Sequence, residues 1–213
     1  MIYLLFQGQY DRFVLVIIGI IISLSFHEYG HARTAKMYGD DTAERAGRLT
    51  LNPIVHIDPI GLLMVAIIGF GFARPVPINP RRFNSYYATA LVSAAGPAMN
   101  LILAFVFVNL SIGAYYFEID FLMQAGPQFF FIYMANINML LMLFNLLPIG
   151  PLDGHYILPY FLTKQNAYRY SQWNAQYGIM VLMGLVLLSF MGVPIFSFLF
   201  RLGSQLAQYL VIF

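Results

Sequence analysis

Long apolar runs separated by short, proline-punctuated polar stretches give this chain its pattern. Residues 13–26 carry no charge and the run continues to about 38, long enough at about 1.5 Å per residue for a helix to cross a bilayer. Similar runs at 87–114, 129–147 and 173–191 predict three further membrane spans. The last segment, 193–213, is apolar except for Ser197, Arg201, Ser204, Gln205 and Gln208, which fall on one helical stripe. An interior-facing fifth span and a helix lying in the interface fit that stripe equally. Residues 61–72 are apolar but too short to span. Their length suits a re-entrant segment, while β-branched residues and glycines between turn formers suit a hairpin dipping into the bilayer. Either would line a cleft, because non-helical backbone at that depth needs protein or water beside it. The expected fold is an all-α polytopic membrane protein, a bundle of about five to six transmembrane helices with a short re-entrant or β-hairpin segment near 61–72. A single membrane-embedded domain over 1–213 is expected, with no internal repeat or low-complexity tract.

Composition narrows the function classes. With 60% hydrophobic and only 9% charged residues among 213, there are too few charges to cover a soluble surface. A net charge of +2 without a basic run is too small to suggest nucleic acid as a partner, so none is expected, and charge alone names no other. The absence of cysteine leaves nitrogen and oxygen as the only strong metal ligands, drawn from four histidines and nine carboxylates. Arg12 precedes an apolar stretch as in a signal peptide, but no small-x-small cleavage site follows, so a retained first span is expected. Arg33, Lys36, Arg45, Arg48, Arg74, Arg81 and Arg82 all lie at the far end of that span or beyond it, which puts that end on the cytoplasmic side of a cell membrane.

The candidate chemistry lies at that end. His27-Glu28-Tyr29-Gly30-His31 closes the first apolar run. On a helix, residues four apart share a face, so His27 and His31 can reach one metal ion, and Glu28, about 100° round from His27, a water on it. A zinc ion with an open position lowers the pKa of its water to about 7, and a carboxylate can take the proton as that water attacks a carbonyl. The competing reading is a pair of core histidines. Ionisable groups in a membrane-grade helix are costly and point to function instead. The third run breaks at Asn145-Leu146-Leu147-Pro148-Ile149-Gly150-Pro151-Leu152-Asp153-Gly154-His155, and unwound turns of this kind build ion sites in membranes. By alternating topology it returns level with His27 and His31, so Asp153 is the candidate third ligand. Asn100 is the strongly polar side chain in its part of the second run; an interhelical hydrogen bond and a substrate-facing role both suit it.

At these residues the chain resembles the site-2 proteases, zinc intramembrane proteases. The resemblance runs through HEYGH at 27–31, GRLTLNP at 47–53, HIDPIG at 56–61, ARPVPINPRRF at 73–83, GPAMN at 96–100 and NLLPIGPLDGH at 145–155. It implies one zinc per chain held by His27, His31 and Asp153, with Glu28 as base. It also implies transmembrane protein substrates cut within or beside the bilayer, in regulated intramembrane proteolysis. A compact form is expected, without the PDZ or nucleotide-sensing module many members carry. Asn100, Asn145 and His155 are candidates to touch substrate or to support the ligands. His155 stands where the family often has a second glycine, either as a neutral replacement or as a partner of Asp153, and His56 competes as a ligand but sits among surface turn formers. The alternatives are a membrane zinc protease acting on soluble or lipidated peptides and a metal-ion transporter; the second has no need of Glu28 and commonly shows internal repeats.

Overall fold

The computed structural model describes residues 2–69 and 71–212. Four helices are long and apolar enough to cross a membrane: α1 (Tyr10–Met37), α3 (Ala88–Tyr116), α4 (Ala125–Asn145) and α5 (Lys164–Phe190), with the shorter α2 (Pro59–Ile68) between the first two. A further helix, α6 (Ile195–Ala207), follows α5. No strand occurs among the described residues. The chain is thus an all-α multi-pass membrane protein, with four spanning helices among the described residues rather than five to six.

The difference in count lies in the C-terminal segment. Helix α6 has 13 residues, about 20 Å of helix against a hydrocarbon core of about 30 Å. Gly192, at φ +99°, and Pro194 separate it from α5. Instead α6 lies lengthwise on α4: Leu199, Gly203 and Ala207 are buried, Ser204 Oγ donates to Asn136 Oδ1 at 2.6 Å, and the tail ends on Asn109 of α3 through Leu210 O and Ile212 N. The segment near 61–72, expected to be re-entrant or a hairpin, forms a short helix. It is helical from Pro59 because Asp58 caps it, accepting from Ile60 N and Gly61 N at 2.9 Å each, with proline at the first helical position. Gly69, at φ +80°, stops it. The hairpin alternative is therefore replaced by a ten-residue helix, though Phe70 lies outside the described residues. Residues 71–79 then return in an extended strap so close over α2 that a Cβ at Gly61 would collide with Phe72 O.

The strap is pinned at four points. Arg74 N donates to His56 O at 2.9 Å and Arg74 O accepts from Arg48 Nη2 at 2.5 Å. Val76 N donates to Glu28 Oε2 at 2.8 Å and Asn79 N to Asp40 Oδ2 at 2.6 Å. Val76 packs with Ala32, Ala43 and Leu49 into a small core beside the end of α1.

Helices α1, α3 and α4 form the centre of the bundle. Residue pairs 31–92 and 23–100 bond across α1 and α3, and pairs 100–138 and 111–128 across α3 and α4, so each neighbour runs antiparallel to the last. Small residues set the spacing, since a Cβ on Gly30 would stand 2.6 Å from Ala95 O.

Candidate metal centre

Helix α1 keeps its register through the motif, so His27 and His31 emerge on one face, both buried against α3. Each ring is oriented from Nδ1. His27 Nδ1 lies 2.7 Å from Asn100 Oδ1 and His31 Nδ1 lies 2.8 Å from Val92 O. Both partners are acceptors, so each Nδ1 carries the hydrogen and each Nε2 is left with a lone pair. The two Nε2 atoms face one another at 3.0 Å.

The turn after α4 closes the group. Asn174 of α5 accepts from Gly150 N at 2.7 Å and so holds the proline-rich turn in place. Asp153 Oδ2 lies 3.3 Å from His27 Nε2 and Oδ1 3.4 Å from His31 Nε2. One ligand atom from each of His27, His31 and Asp153 falls within 4.8 Å of the others. Asp153 Oδ2 is buried without a hydrogen-bond partner, as follows when neither facing nitrogen carries a hydrogen. Three electron-pair donors converge on a point with no proton between them, an arrangement that repels itself unless a cation sits there. Two imidazoles and a carboxylate are a donor set zinc accepts, so the residues fit the metal. A dication would be balanced by the Asp153 and Glu28 carboxylates.

The α3 surface is shaped for this group. A Cβ on Gly96 would collide with His31 Nε2 and stand 2.7 Å from His27 Cε1. Glu28 is buried on the neighbouring face of α1, one carboxylate oxygen engaged by Val76 N.

Of the other candidates, Asn100 touches this group, whereas Asn145, His155 and His56 make their bonds elsewhere. Asn100 is fully buried and points at His27, taking the interhelical role. Asn145 Nδ2 donates back to Leu141 O at 3.0 Å within its own helix. His155 Nδ1 bonds Leu152 O at 2.8 Å, its ring lies on Tyr156 with centroids 3.6 Å apart, and it lines a cavity of about 360 Å³ with Thr89, Tyr160 and Asn174. His56 is buried in the charged connection, Nε2 to Thr50 O at 2.8 Å.

Two supporting groups were invisible to sequence reasoning: Val92 O and Val76 N are main-chain atoms with no residue signature. Asn138 and Ser23 were also missed, although amides within an apolar helix are a signal in themselves.

Comparison with known proteins finds similarity to zinc metalloproteases. Residues 108–189 match the model of peptidase family M50, a stretch that contains Asp153. The chain is 47% identical over 146 residues to "Putative zinc metalloprotease YwhC" of Bacillus subtilis, covering 67% of either chain. It is 35% identical over 159 residues to "Putative zinc metalloprotease Rip2" of Mycolicibacterium smegmatis, covering 72% of this chain and 60% of the relative. It is 27% identical over 149 residues to "Putative zinc metalloprotease MJ0611" of Methanocaldococcus jannaschii, covering 68% and 70%. No solved structure gives a significant match. With two histidines and an aspartate converging among apolar helices, and with these relatives, the chain belongs to peptidase family M50, the site-2 protease family of zinc metalloproteases.

Proposed function

We propose that the chain is an intramembrane protease that hydrolyses peptide bonds of transmembrane substrate helices within or beside the bilayer, in regulated intramembrane proteolysis. In this reading it works as one domain over 1–213 of a cell membrane protein, with its site near the cytoplasmic face. His27, His31 and Asp153 hold one zinc and Glu28 is the base. The observation that carries the reading is the convergence of those three donors, with Glu28 beside them, between helices long and apolar enough to span a bilayer. The basic residues after α1, together with Lys164 and Arg169, support the cytoplasmic side.

When bound, zinc supplies a Lewis acid that polarises the scissile carbonyl and acidifies a water. The protein supplies the rest. Glu28 takes the proton of the attacking water and delivers it to the leaving nitrogen. The Val76 N–H on Oε2 fixes the carboxylate's rotamer and leaves its other oxygen to take the proton. Asn100 and Val92 O keep the imidazoles from turning. A substrate helix arrives with its backbone bonds satisfied, so it must unwind locally before an extended strand can lie at the site.

The test is cleavage of a transmembrane peptide by purified, zinc-loaded protein in lipid. Wild type should cut it, faster with Gly, Pro or Asn near the scissile bond than with polyleucine. Glu28→Gln should keep zinc and lose turnover by about 10²- to 10⁴-fold. Equal loss of zinc in Glu28→Gln, or cleavage of soluble peptides only, would overturn the reading.

A further inference from the structure

We infer that Ser23 and Asn138 are positioning residues for the metal centre: with Asn100 they form a directional hydrogen-bond chain across three helices that fixes the tautomer and ring orientation of His27. The inference rests on the reading of His27 as a metal ligand.

The chain begins at two main-chain carbonyls. Ser23 Oγ donates to Gly19 O at 2.8 Å, which commits its single hydrogen. Asn138 Nδ2 donates to Met134 O at 2.8 Å and to Ser23 Oγ at 2.9 Å. Its Oδ1 accepts from Asn100 Nδ2 at 2.9 Å. Asn100 Nδ2 also approaches Ser23 O at 3.4 Å, and Asn100 Oδ1 is left to face His27 Nδ1 at 2.7 Å. Ser23, Asn100 and Asn138 are each fully buried.

The direction of this chain cannot be reversed. Turning the Asn138 amide would set its oxygen against Met134 O and against a hydroxyl whose hydrogen is already used. Turning Asn100 alone would set its oxygen against Asn138 Oδ1, and its NH₂ against His27. Both amides therefore have one allowed orientation, and the acceptor it presents obliges His27 to carry its hydrogen on Nδ1. The lone pair then falls on Nε2, the atom facing His31 and Asp153. His31 obtains the same result from Val92 O directly. One ligand is thus oriented by main chain and the other by three side chains, contributed by α1, α3 and α4. In the membrane a half-satisfied amide at this depth has no water to fall back on, so deleting one member frees the others to turn.

The test compares zinc affinity, by chelator competition in detergent, for wild type, Asn138→Leu, Ser23→Ala and Asn109→Leu. Asn109 is the control: another buried α3 asparagine, bonded to Phe105 O and Leu210 O and outside the chain. Asn138→Leu should weaken zinc binding by about 10- to 100-fold, the usual cost of losing support behind a histidine ligand. Ser23→Ala should weaken it in the same direction by several-fold, and Asn109→Leu should leave it unchanged. In ¹⁵N-histidine-labelled, zinc-loaded protein, the His27 Nδ1–H resonance should move and exchange faster in Ser23→Ala. That signature decides the matter alone if Asn138→Leu does not fold. Wild-type affinity and an unmoved resonance in the folded variants would overturn the inference while His27→Ala still loses zinc. Retention of zinc by His27→Ala would instead overturn the reading of the metal site.

Discussion

Gly96→Ala puts a methyl group where the metal ligands are. Its Cβ would collide with His31 Nε2 and lie 2.6 Å from His31 Cε1 and 2.7 Å from His27 Cε1. A relaxed contact is about 3.5–4.0 Å, so one or both rings must move by roughly 1 Å. The helices cannot separate to make room, because a wider gap breaks the bonds from His27 and His31 to Asn100 and Val92 on the same surface. Overpacking of this kind costs about 1–3 kcal/mol. If it falls on the metal-bound geometry, zinc affinity drops by about ten- to a hundredfold, at 1.4 kcal/mol per decade. A displacement of about 1 Å at a reacting centre also costs about 10² in rate. Chelator competition reads the first quantity and cleavage of a transmembrane peptide at saturating zinc the second. Gly184→Ala, with nothing within 4 Å of its Cβ, is the matched control and should be neutral or slightly stabilising. Wild-type zinc affinity in Gly96→Ala would refute the placement of α3 against the ligands.

Other expected outcomes follow from the same contacts. Asp153→Ala should lose zinc, measured by metal analysis, whereas His155→Ala and His56→Ala should keep about one ion per chain; the reverse would break the proposed ligand set. Val76→Pro deletes the N–H that holds Glu28, a charge-assisted bond of about 1.5–3 kcal/mol. It should retain zinc and lose about 10- to 100-fold in turnover, with Val76→Ala near wild type. Asp40 should give the strap an acid-sensitive anchor: burial alone would raise its pKa, but hydrogen bonds from Thr42 and Asn79 and the Arg82 charge outweigh it and hold the carboxyl below its ordinary value. A depressed carboxylate stabilises above its unfolded pKa and loses that contribution as pH falls through the folded value. Thermal unfolding of wild type and Asp40→Asn should therefore differ at neutral pH and converge in acid; a gap that persists unchanged would contradict this.

The parts of the site carried by spacing were legible in the sequence. His27, Glu28 and His31 need only a continuous helix to share a site, and the prolines around Asp153 announced an unwound turn. The short segment at 61–72 was ambiguous because glycines and β-branched residues serve a hairpin and a helix alike. Asp58 followed by Pro59 was the signal that decides it, a cap with proline at the first helical position. Asn145 and His155 carried the right chemistry in the right stretch, yet their bonds go to Leu141 O and Leu152 O. Side-chain direction at a break in a helix depends on dihedral angles that residue order does not specify. Main-chain partners such as Val76 N are further out of reach, since every residue but proline offers the same group.

Orientation by main chain and orientation by side chains tolerate substitution differently in this protein. The acceptor that orients His31 belongs to the peptide unit of residue 92, and a substitution there alters the side chain and leaves the carbonyl in place. A saturation scan would report position 92 as a packing site and miss what its backbone does. Positions 23, 100 and 138 would register instead, because there the bonding atoms belong to side chains. Over evolutionary time, the His31 side of the centre can drift in sequence with its geometry intact, while the His27 side has to be inherited together.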